Sequence, residues 1–416
     1  MAHFVIVGAG QAGASLVARL RTGGFDGRIT LIGEEPAPPY QRPPLSKGYL
    51  LGDTSRERLF LRPERFYPEN DIDLRTGTAV SAIDTAARTV TLGDEVLGYD
   101  ALALTTGSRP RHLPAAIGGD LGGVHVVRTL ADVDAMAPEF VRGRRALIVG
   151  GGYIGLEAAS VACKLGVSVT VVEMGARILQ RVAAPETSER FRQLHKAHGV
   201  DMREGVGLDR LEGDAEGRVT SAKLTDGTSL TVDFVIVGVG IAPDTALAEA
   251  AGLEVDDGIR VDEMGRASAP GVWAAGDCAN FPWRGGRLRL ESVQNAIDQA
   301  EAVADNMMAA ARDDDAAGTP YVPKPWFWSD QYDVKLQIAG LNTGYDRVVT
   351  RDGGGEDADL SGPISFWYYK GDVLLAVDAM NDPRSYMVGK RLIEMGRSPD
   401  PALVARADLP VKDLLK

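Results

Sequence analysis

Short apolar runs, glycine-rich turns and helical segments alternate along the first part of the chain. Residues 3–7 are apolar after His3, which is typical of a strand buried on both faces of a sheet. Residues 8–13 predict a glycine-rich turn, residues 14–20 a helix and residues 28–32 a second strand. The chain is therefore predicted to begin with one βαβ unit.

The same order of elements returns from residue 145. Residues 145–149 predict a strand and residues 150–155 a glycine-rich turn. Residues 156–165 predict a helix and residues 167–172 a second strand. Two such units predict an α/β protein with two Rossmann-type dinucleotide-binding domains.

Further elements are predicted between and after these units. Strand segments lie near residues 79–92, 100–105, 218–232, 235–240 and 272–277, and a helix at 291–311. The last part of the chain contains tryptophans and short strand candidates separated by Gly and Pro, which predicts a smaller α+β domain. Asp313–Asp315, with Gly318 and Pro320, predict a linker before it.

Turn signals bound the second unit on both sides, at residues 107–110 and 238–243. The simplest interpretation is a domain inserted into the first one, which would then be discontinuous. The predicted domains are residues 1–111 with 241–318, residues 112–240, and residues 319–416.

The composition narrows the classes of function. Of the 416 residues, 44% are hydrophobic and 25% are charged, as in an ordinary soluble globular protein. The net charge of −13 and the lack of a basic block in the sequence argue against a general affinity for nucleic acid. A solvated acidic surface is the simpler explanation of the charge, and a local basic patch for an acidic partner stays open.

Cysteine usage excludes one kind of redox chemistry. Cys163 and Cys278 are far apart, so the chain has no short-spaced redox dithiol. Two cysteines and five histidines also argue against zinc or iron–sulfur sites, and we expect no metal. The sequence shows neither a signal-like segment nor a long apolar stretch, so we expect no membrane span and a cytoplasmic location.

The first glycine turn carries the dinucleotide fingerprint. Gly8 permits the tight turn, Gly10 lets the backbone approach a pyrophosphate, and Gly13 permits close packing of helix on strand. The following helix N-terminus offers free N–H groups to phosphate. Glu34 follows the second strand, where an acid binds ribose hydroxyls.

The second glycine turn repeats the fingerprint with Gly150, Gly152 and Gly155. Glu173 ends the strand that follows. One copy is a weak signal that a structural turn explains equally well, whereas two copies with correctly placed acids predict two dinucleotide sites.

Glu173 also predicts the nucleotide. A carboxylate at the ribose edge accepts bonds from free hydroxyls and repels a 2′-phosphate, which favours NADH over NADPH. Arg177 and Arg181 lie close in sequence and could weaken this preference.

More specific motifs extend over essentially the whole chain. They are GAGQAG at 8–13, RPPLSK at 42–47, TTGSRP at 105–110, GGGYIGLE at 150–157, AAGDCA at 274–279, ESVQNA at 291–296 and WFWSDQY at 326–332. In these motifs and their order, the chain resembles the FAD-dependent ferredoxin reductases of bacterial oxygenase systems. They belong to the pyridine nucleotide-disulfide oxidoreductase superfamily but lack its redox dithiol.

The resemblance implies that the first turn binds one FAD tightly and the second binds NADH as co-substrate. The implied FAD contacts are Gly8, Gly10, Ala12, Gly13, Glu34, Arg42, Lys47, Val80, Thr106, Gly107, Arg128, Gly276, Asp277, Ser292, Val293 and Trp328. The implied NAD contacts are Gly150, Gly152, Tyr153, Ile154, Gly155, Glu157, Glu173 and Gly240.

Two of these residues are implied to surround the reacting rings. Lys47 would lie near the flavin N5 edge, where a cation stabilises the reduced ring, and would pair with Glu157 beside the nicotinamide. The alternative for Glu157 is an ordinary carboxylate on a helix surface. Trp328 would shield the flavin, and its alternative is a core position.

The implied activity is NADH-dependent reduction of a 2Fe–2S ferredoxin that serves a monooxygenase or dioxygenase. Rubredoxin reductase, monodehydroascorbate reductase, NADH oxidase and a redox-sensing flavoprotein related to apoptosis-inducing factor stay open. A monomer and a dimer are both compatible with the sequence. Arg284, Arg287 and Arg289 are a candidate docking patch, with scattered solvated arginines as the alternative.

Overall fold

The computed structural model describes residues 1–312, 318–353 and 360–416, and the chain divides into two compact units. Unit 1 contains Met1–Gln41, Arg56–Arg109 and Ile241–Pro325, and unit 2 contains Arg42–Ser55, Pro110–Gly240 and Trp326–Lys416. Asp313–Asp315, which the sequence predicts to be part of a linker, lie outside the described residues. The predicted domain boundaries stay a prediction.

The helices and strands below are those of the described residues. The helices are α1 (Gln11–Thr22), α2 (Arg56–Leu59), α3 (Phe66–Glu69), α4 (Leu130–Met136), α5 (Tyr153–Lys164), α6 (Pro185–Ala197), α7 (Ala246–Ala250), α8 (Val293–Ala310), α9 (Pro383–Glu394) and α10 (Pro401–Val404). The strands up to residue 150 are β1 (His3–Val7), β2 (Arg28–Ile32), β3 (Ile72–Arg75), β4 (Ala82–Asp84), β5 (Thr89–Leu92), β6 (Glu95–Gly98), β7 (Ala101–Leu104), β8 (Ser108–Pro110), β9 (Val124–His125) and β10 (Arg145–Val149). The later strands are β11 (Ser168–Glu173), β12 (Asp201–Glu204), β13 (Leu208–Gly213), β14 (Val219–Leu224), β15 (Ser229–Thr231), β16 (Phe234–Val237), β17 (Ile241–Pro243), β18 (Ile259–Arg260), β19 (Val272–Ala274), β20 (Ala279–Trp283), β21 (Gly286–Leu288), β22 (Trp326–Gln331), β23 (Val334–Gly340), β24 (Arg347–Asp352), β25 (Ile364–Lys370) and β26 (Val373–Met380).

Unit 1 is built on a parallel sheet with the strand order β19-β7-β1-β2-β3. The predicted strands 3–7 and 28–32 are confirmed residue for residue. The strands consist mainly of apolar residues because they are buried on both faces, as Val5 and Ile6 at 0% exposure show. Helices α1 and α8 pack their apolar faces into the core of this unit.

Unit 2 repeats this arrangement in its parallel sheet, with the order β12-β11-β10-β16-β9. In both sheets the strand order reverses beside the strand that precedes a glycine turn. On one side of β1 lies β2 and on the other β7, and β10 likewise lies between β11 and β16. Such a switch point, at the carboxyl ends of the strands, is where open α/β sheets bind ligands.

The C-terminal part of unit 2 is an antiparallel sheet with the order β22-β23-β26-β25-β24. Alternate residues of β25 serve different cores: Phe366 and Tyr368 belong to one apolar cluster, and Trp367 and Tyr369 to another. Helix α9 packs on this sheet. The predicted small α+β domain is confirmed.

The segment predicted near residues 79–92 is two strands, β4 and β5, joined by a turn in which Arg88 adopts a positive φ of 55°. The helix predicted at 291–311 is α8, which begins at Val293 because the Ser292 side chain accepts a bond from the Asn295 N–H. No helix among the described residues combines the length and the apolar character that a membrane crossing requires.

Candidate active site

The first turn contains two glycines that the protein itself requires. Gly8 has φ +112°, and a Cβ there would lie 2.2 Å from the carbonyl oxygen of Thr105. A Cβ at Gly13 would lie 2.1 Å from the carbonyl oxygen of Gly8. Both positions therefore exclude a side chain on packing grounds alone.

The second turn has the same requirement. Gly150 has φ +104°, and a Cβ there would lie 2.4 Å from the Gly238 carbonyl oxygen. A Cβ at Gly155 would lie 2.5 Å from the Gly150 carbonyl oxygen. Each turn thus closes against the strand on the far side of its switch point.

Packing within the described residues does not explain the middle glycine of either turn, Gly10 or Gly152. Gly10 has ordinary extended dihedral angles, φ −94° and ψ −159°, and apart from its chain neighbours no described residue has an atom within 4 Å of a Cβ built on it. Gly152 is also extended, and apart from its chain neighbours the only described atom within 4 Å of its Cβ is the Gly238 carbonyl oxygen at 3.9 Å. A ligand that approaches the backbone closely explains glycine at both positions.

The helices that follow the two turns begin without side-chain caps. Neither α1 nor α5 has a capping side chain or an acidic residue in its first turn. By contrast, α4 has a capping box formed by Thr129 and Asp132. Uncapped N–H groups and the positive end of the helix dipole attract phosphate, so both turns fit a dinucleotide pyrophosphate.

The acid of the first unit lies in a polar cluster. Glu34 is 64% exposed, and its Oε2 lies 3.1 Å from Nη2 of Arg109. Arg109 Nε also lies 2.7 Å from Asp244 Oδ2, and the Thr106 hydroxyl donates to the Asp244 carbonyl oxygen. The backbone N–H of Asp244 donates to the Gly107 carbonyl oxygen. Glu34 and three residues of the TTGSRP motif, Thr106, Gly107 and Arg109, thus lie close together after the ends of β2 and β7.

A distant segment of unit 1 reaches the first turn. A Cβ at Gly276 would lie 3.0 Å from the Ala12 Cβ, so AAGDCA and GAGQAG are neighbours. Asp277 accepts a bond from the Ser108 hydroxyl at 3.0 Å. Val80 lies between β3 and β4, and Ser292 and Val293 begin α8.

Glu173 is held by the backbone of the second turn. Its Oε2 accepts from the Gly151 N–H and its Oε1 from the Gly175 N–H, both at 2.7 Å. Arg177 donates to the Ala183 carbonyl oxygen at 2.8 Å and to the Ser188 hydroxyl. The Arg177 guanidinium is thus occupied within its own loop, which favours a nucleotide without a 2′-phosphate.

Lys47 and Glu157 form a close pair in unit 2. Lys47 Nζ lies 2.9 Å from Glu157 Oε1, and Glu157 is only 4% exposed, so it is not a surface carboxylate. The hydroxyls of Ser46 and Ser329 each donate to Glu157 at 2.7 Å. Burial raises the pKa of Glu157, whereas the Lys47 ammonium and the two hydroxyls counteract that rise.

Other residues implied by the resemblance lie at defined places in unit 2. Arg42 donates to the Arg128 carbonyl oxygen at 2.7 Å. Trp328 stacks on Trp326 with ring centroids 5.3 Å apart. Gly240 accepts a backbone bond from Arg111. The remaining implied NAD contacts, Tyr153 and Ile154, begin α5.

Ser46 and Ser329 were not predicted from the sequence as partners of Glu157. Both lie inside its most specific motifs, RPPLSK and WFWSDQY. Ser329 and Gln331 are fully buried polar residues two positions apart in a strand. That spacing within an otherwise aromatic strand was the signal that could have identified a buried polar site.

Two of the three arginines in the candidate docking patch are engaged by neighbouring groups of unit 1. Arg289 lies in ion pairs with Asp257 and Glu291 and is 11% exposed. Arg287 donates to backbone carbonyl oxygens, including that of Val261 at 2.7 Å. Arg284 is the exposed member of the three, and its guanidinium lies over the Trp283 ring.

Comparison with known proteins gives consistent matches over the chain. Residues 2–300 match the pyridine nucleotide-disulphide oxidoreductase family, and residues 326–415 match the reductase C-terminal family. The chain is 39% identical to putidaredoxin reductase of Pseudomonas putida, over 99% of this chain and 96% of that one. It is 43% identical to a ferredoxin–NAD(P)(+) reductase of a Sphingomonas species, over 94% and 92%. The reductase in the crystal structure of a covalent putidaredoxin reductase–putidaredoxin complex matches with TM-score 0.93 and 38% identity, over 100% and 98%.

Proposed function

Because the chain belongs to the pyridine nucleotide-disulphide oxidoreductase family, we propose that it is an FAD-dependent NADH:ferredoxin oxidoreductase. Two electrons enter from NADH and leave singly to a 2Fe–2S ferredoxin that serves a monooxygenase or dioxygenase. Relatives named as the ferredoxin–NAD(+) reductase components of dioxygenase systems support this, and one matching structure is a covalent complex of putidaredoxin reductase with putidaredoxin.

The observation that carries the proposal is the open space beside Gly10 and Gly152, one position in each turn. We assign the first turn, with Glu34 and Asp277, to one tightly held FAD. We assign the second, with Glu173, to NADH. The implied contacts named from the sequence complete the two sets. The proposed domain division at residues 111, 240 and 318 is supported by the turn signals at 107–110 and 238–243 and by the change in composition after residue 318.

The protein supplies orientation and electrostatics to this reaction. The chemistry that FAD supplies when bound is acceptance of a hydride and release of its electrons one at a time. Lys47, held by Glu157, would supply positive charge to the bound cofactors' reacting rings, and the glycine turns would hold the two pyrophosphates. Both cysteines are free, and burial raises the pKa of the Cys278 thiol. Electrons therefore leave to an external acceptor, not to a protein disulfide.

Rapid mixing of the purified holoprotein with NADH or NADPH, without oxygen, tests this function. We expect flavin absorbance to fall rapidly with NADH and much more slowly with NADPH. The reduced protein is then mixed with 2Fe–2S ferredoxins or rubredoxins, and faster reoxidation by a ferredoxin is expected. A protein that neither contains nor takes up FAD would contradict the proposal. A reduced flavin that persists with every acceptor would point to a redox sensor.

Docking of an acidic ferredoxin is assigned to the region of Arg284, Arg287 and Arg289, with Arg284 as its exposed charge. Arg284→Glu is expected to raise the Michaelis constant for ferredoxin and flatten its salt dependence, with NADH kinetics unchanged. A cytoplasmic location is part of the same proposal, because the NADH and ferredoxin pools that it requires lie there.

A further inference from the structure

A chain of buried hydrogen bonds in unit 2 leads away from the Lys47–Glu157 pair. Ser329 Oγ lies 2.7 Å from Glu157 Oε1, and Gln331 Nε2 lies 3.2 Å from Ser329 Oγ. His195 Nε2 lies 2.8 Å from Gln331 Oε1. Ser329, Gln331 and His195 are all 0% exposed.

The chemistry of the groups determines the direction of every bond. An ionised Glu157 only accepts, so the Ser329 hydroxyl donates to it and must accept from the Gln331 amide N–H. The Gln331 amide oxygen then faces His195, whose Nε2 must carry the proton. His195 Nδ1 is left as an acceptor, and the Tyr332 hydroxyl lies 3.2 Å from it. All donors therefore point toward the carboxylate, and such aligned bonds strengthen one another.

Tyr332, at the outer end of the hydrogen-bond chain, is held by contacts of its backbone and of its ring. Tyr332 has φ 56°, an uncommon conformation for an aromatic residue. Its N–H donates to the Ser160 hydroxyl at 2.7 Å, and its ring stacks on His198 at 3.6 Å. Burial lowers the pKa of His195 to about 4, so the imidazole is neutral at ordinary pH, as a group that donates on one side and accepts on the other requires.

We propose that Tyr332, His195, Gln331 and Ser329 are positioning residues. They hold the Glu157 carboxylate, and through it the Lys47 ammonium, in one orientation for hydride transfer. The inference rests on the proposed function for the role of Lys47 and Glu157. The hydrogen-bond chain itself does not depend on that function. The proposal gives a positioning role to His195, which lies on α6 and outside every motif that carries the family resemblance.

Nitrogen NMR of the FAD-bound protein labelled at histidine tests the chain directly. His195, identified by loss of its signals in His195→Gln, is expected to be neutral with its proton on Nε2 between pH 6 and 8. A proton on Nδ1, or an imidazolium in this range, would overturn the proposal. This measurement needs no turnover, so it remains decisive even if NADH fails to reduce the wild-type flavin and the proposed function falls.

Rapid-mixing kinetics test the positioning role. His195→Leu and Ser329→Ala are each expected to lower the limiting rate of flavin reduction roughly tenfold, because one buried bond supporting a charged group is lost. The NADH dissociation constant should change less than about twofold, since the glycine turn and Glu173 are untouched.

His195→Gln places an amide N–H near the lost imidazole N–H and should restore the rate to within about threefold of wild type. Gln193→Leu, an exposed position on the same helix, is the matched control and should leave the rate unchanged. Equal rates in His195→Gln and His195→Leu would show a purely structural role. Wild-type rates in Ser329→Ala would also overturn the proposal.

Discussion

The two glycine turns share one backbone design but differ in how their acids are held. Glu173 accepts bonds from two backbone N–H groups, one of them in the turn itself. Glu34 is 64% exposed and pairs with Arg109, outside the first turn. The first turn is braced instead by Thr105, whose hydroxyl donates to the Gly8 carbonyl oxygen at 2.8 Å.

This difference matches the two jobs assigned to the turns. The Thr105 hydroxyl supports the first turn without its acid, so the exposed Glu34 carboxylate has no part in shaping that turn. In the second turn, Gly238 occupies the position that Thr105 has in the first and has no side chain to donate, and Glu173 accepts the turn's Gly151 N–H instead. Similar fingerprints therefore do not imply similar roles for their acids.

The largest effect is expected where the turns are alike. Gly8→Ala and Gly150→Ala should each lower the free energy of unfolding by more than about 3 kcal/mol, because a Cβ overlaps a backbone carbonyl oxygen and φ is positive. Urea unfolding of the protein without added cofactor measures this loss. Variants as stable as Gly10→Ala would contradict the packing explanation.

The second turn is also linked to a buried acid that titrates. Burial raises the pKa of Asp378 to about 6, and Tyr153, at the start of α5, has its pKa raised by burial and by the charge of Asp378. The folded protein binds this proton more tightly than the unfolded chain does. Its contribution to stability therefore falls as pH rises from about 4 through about 6.

Asp378→Asn removes this titration, since Thr187 and Tyr368 can still donate to the amide oxygen. The variant should be more stable than wild type by about 3 kcal/mol at pH 8, with a difference of less than about 1 kcal/mol at pH 4. Unfolding of both proteins across this range measures the difference. Asp333→Asn, at an exposed turn, is the control. A gap between wild type and Asp378→Asn that is independent of pH would contradict the prediction.

Substitutions of the middle glycines, Gly10 and Gly152, should each affect the binding of a different cofactor. Gly10→Ala is expected to lower FAD affinity roughly a hundredfold and Gly152→Ala to raise the NADH dissociation constant by a similar factor, because each methyl occupies the space beside a pyrophosphate. Stability without cofactor should change by less than about 1 kcal/mol in both, since their dihedral angles suit alanine. FAD content and NADH titration measure the two effects. Loss of FAD in Gly152→Ala would show that the second turn binds FAD and would contradict the assignment of the two turns.

The smallest effects are expected at the two acids. Glu173→Gln should reduce the preference for NADH over NADPH roughly tenfold, because the charge that repels a 2′-phosphate is lost. Glu34→Gln should lower FAD affinity less than about threefold, since exposed ion pairs contribute little. Steady-state kinetics with both nucleotides and FAD release measure these changes. An equal effect of the two substitutions on the preference for NADH over NADPH would contradict the prediction that the two acids have different roles.

The sequence by itself determined the repeated βαβ units, both glycine turns and the acids that follow them. These are local features, because buried parallel strands need continuous apolar runs and a tight turn needs glycine at fixed positions. The family resemblance carried by the motifs, and not spacing alone, pointed to Lys47, Glu157 and Asp277.

Only the tertiary structure decided which of these residues meet. The neighbours Gly276 and Ala12, the burial of Glu157, and the chain from Ser329 to His195 join segments that lie far apart in sequence. A hydrogen bond between distant segments leaves no periodic pattern, because either partner alone resembles an ordinary polar residue. For the same reason Arg289 was predicted as a docking charge, whereas folding places it in ion pairs with Asp257 and Glu291.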